Sequence, residues 1–115
     1  MKLNKKAINA LEDADFAVTE QKYSNGMTYL ISRFSPAGQD FNFEVREQKS
    51  KTDYVDAFYE AYENYDVSEE TILWVDSSGH GKNGAPYELE DVLADMKVCE
   101  GYILEAYNIV KAVLL

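Results

Sequence analysis

The sequence predicts an α+β domain in the order αβββαβα, with an antiparallel three-stranded meander packed against helices. Three observations carry that expectation. Apolar residues repeat at helical spacing near the N-terminus, then alternate with polar ones between Phe16 and Val45. A hairpin signal, Ser24-Asn25-Gly26, falls inside the alternating stretch. After Thr52 helical spacing returns, with acidic and aromatic residues on separate faces.

Taken in order, Leu3, Ala7, Ile8, Ala10, Leu11 and Ala14 predict a first helix over residues 3–14. Phe16 to Tyr23 reads as a strand, with Phe16 and Val18 on one face and Thr19 and Gln21 on the other. Asn25-Gly26 tolerates the positive φ values of a type I′ turn, and Met27 to Phe34 is the return strand. Ser35-Pro36-Ala37-Gly38-Gln39-Asp40 is a loop by composition. Phe41, Phe43 and Val45 alternate with Asn42, Glu44 and Arg46, as in a half-buried third strand. Ser50 or Thr52 caps the next helix, with Asp53 three residues after Ser50 as in a capping box. That helix is expected to reach about Tyr65. Val67 to Glu70 reads as a turn, and Thr71-Ile72-Leu73-Trp74-Val75 as a short apolar strand, the candidate fourth strand of the sheet. Asp76 to Gly84 is a glycine-rich loop. Pro86 suits the first position of a closing helix, with Glu88, Glu90 and Asp91 in its first turn. This helix is expected to run on to the C-terminus, with Gly101 as its weak point. Without repeats or low-complexity tracts, residues 1–115 make one domain.

Composition narrows the function classes. The chain has 115 residues, long enough for a core that needs neither disulfide nor metal. Its apolar fraction of 46% and nine tyrosines argue against a disordered acidic chain. No apolar run reaches membrane-spanning length. Met-Lys-Leu-Asn-Lys-Lys at the start has the charge of a signal peptide without the apolar stretch that should follow. Cys99 is the single cysteine, so no internal disulfide forms. A cytoplasmic protein is the expectation.

The formal charge of −10 is unevenly placed. Residues 1–52 hold eight basic against seven acidic side chains, a net +1, whereas residues 53–115 hold three against fourteen, a net −11. Such a field repels nucleic-acid phosphates and anionic membranes and attracts a basic protein surface. The charge also has a pattern. Asp53, Asp56, Glu60 and Glu63 are spaced three, four and three apart, which puts them in one stripe of a helix. Val55, Phe58, Tyr62 and Tyr65 occupy the other side. Like charges at these spacings repel by about a few tenths of a kcal/mol per pair. A helix selected for stability alone would interleave lysines. Asp66, Glu69 and Glu70 continue the acidic patch, and Glu88, Asp91 and Asp95 repeat the spacing beside an apolar face of Val92, Met96, Cys99 and Ile103. These ten carboxylates are the candidate partner-binding residues. Tyr54 or Tyr59 is expected at the edge of the stripe, where tyrosine buries area at low entropic cost.

Catalytic motifs are not found. The Asp76–Gly84 loop has Gly-Lys-Asn where a phosphate-binding loop needs Gly-Lys-Ser/Thr, and its glycine spacing is not that of a dinucleotide site. His80 is the only histidine, so with Cys99 it falls short of a zinc ligand set. Asp76-Ser77-Ser78-Gly79 departs from the EF-hand order. Cys99 lies among apolar helical positions, as a packing residue does. No cofactor, no metal and no catalytic residue are expected.

The αβββα opening resembles the double-stranded-RNA-binding fold, but the charge has the wrong sign for RNA. Asp15-Phe16-Ala17-Val18 through Phe43-Glu44-Val45, followed by the acidic helix from Asp53 to Tyr65, is similar to small acidic anti-CRISPR and antirestriction proteins of phages and mobile elements. The Ser35–Asp40 loop and the Gly84-Ala85-Pro86 step resemble those of uncharacterised proteins of mobile elements in gut Firmicutes. The resemblance implies a nucleic-acid mimic that occupies the basic groove of a nuclease or another DNA-binding enzyme, without binding nucleic acid or membrane itself. The alternative is a generic interaction or assembly module of a mobile element, with a homodimer through the apolar last helix as one form.

Overall fold

Helix α1 (Lys5–Asp13) begins where the Asn4 side chain accepts a hydrogen bond from the Lys6 amide. It buries Ala7 and Leu11 and is capped at Ala14, after which Asp15, with a φ of 69°, turns the chain toward the sheet. In this computed structural model, which describes residues 1–115, three antiparallel strands follow: β1 (Ala17–Tyr23), β2 (Gly26–Phe34) and β3 (Asp40–Arg46), in spatial order β1-β2-β3. The meander is as the alternation predicts. Its covered face carries Phe16, Tyr29, Ile31, Phe41 and Val45, all buried, while Thr19, Asn42 and Glu44 face solvent.

The β1–β2 turn is built differently from the type I′ expectation. Tyr23 pairs with Gly26, so the two linking residues are Ser24 and Asn25. Neither has positive φ, and Gly26 alone does, at 127°. The glycine supplies the positive φ one position later, as when a type I turn is followed by a glycine.

Helix α2 (Lys51–Glu63) is capped by Ser50, whose Oγ accepts from the Asp53 amide at 3.1 Å. It buries Tyr54, Val55 and Phe58 against the sheet. The Thr71–Val75 strand is absent. Val67–Ile72 is instead a short helix, α3, capped by Asp66, whose Oδ1 accepts from the Ser68 and Glu69 amides. A cap followed by Glu69 and Glu70 in the first turn outweighs the β-propensity of Thr-Ile-Leu-Trp-Val. Only Thr71 of α3 is buried, and its Oγ1 donates to the Val67 carbonyl one turn back. Ile72 and Leu73 face solvent at 65% and 58% exposure. Val75 makes a single bridge with Gly81, so the loop folds back on itself but adds no strand to the sheet.

Helix α4 (Leu89–Leu114) starts three residues after Pro86, with Glu88 at its N-cap. Pro86 therefore belongs to the loop, and Gly81 explains why. A side chain on Gly81 would meet the Pro86 carbonyl, and the Gly81 amide donates to the Tyr87 carbonyl, which ties residues 81–87 into a closed turn ahead of the helix. Gly101 does not interrupt α4. Val92, Met96, Cys99, Ile103, Ala106, Val110 and Leu114 form one buried stripe along the helix. Its first part closes a small cluster on Phe41, and its last part joins the main core with α1, α2 and the sheet. No helix is long and apolar enough to cross a membrane.

Candidate functional site

The acidic row of α2 forms as its spacing predicts. Asp53, Asp56, Glu60 and Glu63 are all exposed, on the side away from buried Val55 and Phe58. Asp66 and Glu69 extend the row into α3, although Asp66 also spends one oxygen on the cap. Glu70 is half-buried, and desolvation pushes its carboxyl above the usual range. Glu88 and Asp91 are exposed on the first turn of α4.

Asp95 is the correction. At 6% exposure it lies inside the protein, not in an exposed row. Its Oδ2 accepts from the Ser35 hydroxyl at 2.6 Å and its Oδ1 from the Ala37 amide at 2.9 Å. Ser35 Oγ in turn accepts from the Gln39 amide at 2.9 Å. Asp95 thus fixes the Ser35–Asp40 loop onto α4, and both its side-chain oxygens accept hydrogen bonds, as buried polar atoms require.

The chain makes three ion pairs: the N-terminal ammonium with Glu47, Arg33 with Glu105, and Lys97 with Glu100. None involves a carboxylate of α2 or α3, so the field of this face is not neutralised within the molecule. Glu60 and Glu63 also stand in the second half of α2, where the helix dipole disfavours negative charge and no basic residue offsets it.

Side by side, α2 and α4 leave a groove of about 280 Å³ lined by Asp56, Tyr59, Glu60, Glu63 and Tyr107. The rings of Tyr59 and Tyr107 are 5.0 Å apart, and Tyr62 lies 6.1 Å from Tyr59. Of the two tyrosines expected at the stripe's edge, Tyr59 is there at 40% exposure. Tyr54 is in the core, donating to the Met1 carbonyl. Tyr107 is a site residue that the spacing of carboxylates could not find, because it comes from a part of α4 that contributes none to the acidic face.

The remaining chemistry-bearing residues lie outside this face, Cys99 in the core and Asp76 and His80 in the loop before α4. Burial pushes the Cys99 thiol up to about 12, with Asp95 and Glu70 adding to the effect, so little thiolate forms near neutrality. Asp76 Oδ1 accepts from the Ser78 and His80 amides, and these bonds to the charged form hold its carboxyl below the usual range. His80 stacks on Tyr87 at 4.0 Å. No three His, Cys, Asp or Glu side chains converge in a way that could hold a metal ion. No family model, curated protein or solved structure matches the chain.

Proposed function

We propose that this chain is a non-enzymatic acidic binding protein, a nucleic-acid mimic of the anti-CRISPR or antirestriction type. In this reading the face from Asp53 to Glu69 occupies the basic nucleic-acid groove of a nuclease or other DNA-binding enzyme. The observation that carries it is the row of exposed carboxylates on α2 and α3 with no ion-pair partner in the chain. Duplex DNA offers a charge about every 1.7 Å of axis. Residues three or four apart on a helix are about 5–6 Å apart, so the row is sparser. Association through such a face is fast and salt-sensitive.

The test is capture from a host extract at low and high salt, followed by competition with duplex DNA. A basic DNA-binding enzyme should be retained at low salt and displaced by DNA. The triple variant Asp56→Lys, Glu60→Lys, Glu63→Lys should not retain it. Retention that ignores salt, or that survives the triple reversal, would sink the proposal. A second reading, an assembly module, draws on the exposed Ile72 and Leu73 at the end of α3. Under that reading sedimentation finds a self-associated species that Ile72→Ser with Leu73→Ser converts to monomer.

A further inference from the structure

We propose that the groove between α2 and α4 is the seat of one arginine side chain presented by the basic protein partner, its guanidinium stacked on Tyr59 and Tyr107 and paired with Asp56, Glu60 or Glu63. This rests on the docking face argued above and specifies the residue that the partner must offer it.

Size, charge and chemistry converge on that occupant. A volume of about 280 Å³ lies at the bottom of the range of small-molecule sites, about 300–1,000 Å³, and suits a single side chain. The three lining carboxylates take part in none of the chain's ion pairs. A positive partner is demanded, and the tyrosines decide which one. Guanidinium is planar, weakly hydrated and able to stack on a ring while its edge donates to carboxylates, whereas ammonium is a compact and strongly hydrated point charge.

Two places in the molecule already use this chemistry. The Arg33 guanidinium carbon stands 3.8 Å from the Phe16 ring centre and 4.7 Å from that of Tyr102, while its edge pairs with Glu105. An arginine held by two aromatic rings and a carboxylate is thus the arrangement that braces β2 against α4. Lys111 Nζ, outside the groove's lining, lies 5.7 Å from the Tyr107 ring centre, within cation–π reach of that ring. The groove offers the same elements as the Arg33 site, two rings and carboxylates, with its guanidinium to come from outside.

The probe is a capped pentapeptide with one arginine between glycines, compared with its lysine and citrulline counterparts by NMR of the α2 amides and tyrosine rings. Saturable shifts centred on Tyr59 and Tyr107 are expected for the arginine peptide. It should bind more tightly than the lysine peptide, by up to roughly fivefold, the full worth of an exposed cation–π contact, and the neutral citrulline peptide should not saturate. Tyr59→Leu, at an exposed position that spares the core, should reduce the preference for arginine over lysine. Equal binding of the two peptides, or a preference undiminished by Tyr59→Leu, overturns the proposal. Glu69→Lys, outside the groove, should leave peptide binding unchanged and weaken capture of a basic enzyme. The two ideas can therefore fail separately: peptide binding without enzyme capture defeats the docking face, and salt-sensitive capture without arginine selectivity defeats the groove.

Discussion

Asp95 and Glu70 are carboxylates of the same acidic stretch, and burial gives them opposite consequences. Asp95 sits three residues after Val92 and four before Cys99, so its place on the buried stripe was written in the spacing, but the Glu88–Asp91–Asp95 repeat drew it into the wrong row. Inside, it is satisfied by Ser35 and Ala37. Asp95→Ala should cost about 1–3 kcal/mol, the penalty of leaving buried donors unmade, with Asp95→Asn costing less; denaturant titration measures both. Glu70 receives no hydrogen bond at its side chain, and desolvation raises its carboxyl. A carboxyl raised on folding binds more protons in the native state than in the unfolded one. Stability therefore falls as pH climbs from the ordinary carboxylate value through the raised one, and the loss is complete above it. Glu70→Gln should raise the Tm near neutrality, and that gain should vanish as melts are taken down toward about pH 4. Neither Glu70's burial nor Tyr107's place in the groove could be read from sequence, since both depend on how α3 and α4 pack against α2.

Among the elements, those set by local periodicity were legible and those set by competition were not. The meander and α2 follow from alternation and from the stripe opposite Val55 and Phe58. The segment around Thr71 did not, because an N-cap at Asp66 and a strand-like apolar run make contrary demands on the same few residues. Helix α2 itself is a compromise between stability and charge. Its row of like charges costs about a few tenths of a kcal/mol per neighbouring pair, and Glu60 and Glu63 also oppose the helix dipole. Glu60→Lys and Glu63→Lys should each stabilise the fold by about 0.3–1 kcal/mol in urea titration while weakening capture of a basic enzyme. Variants that lose stability and binding together would mean that these side chains serve the fold and not the surface.

For the whole molecule, the −10 charge opposes compactness, and salt screens that repulsion over a Debye length of about 8–10 Å. Added sodium chloride should therefore raise the Tm while slowing association with the basic partner proposed above, two opposite responses measurable by calorimetry and stopped-flow mixing. Which half carries the charge was plain in the sequence; how helices from that half form a groove was not. Helix α4 buries one continuous stripe from Val92 to Leu114. Because one helix serves both core clusters, α2 cannot loosen without disturbing packing that extends to the sheet. The charged face is thus ordered when the chain folds, which preorganises it for the partner proposed above. Binding should proceed as rigid docking, with a heat-capacity change set by the area of the contact alone and no added signature of coupled folding.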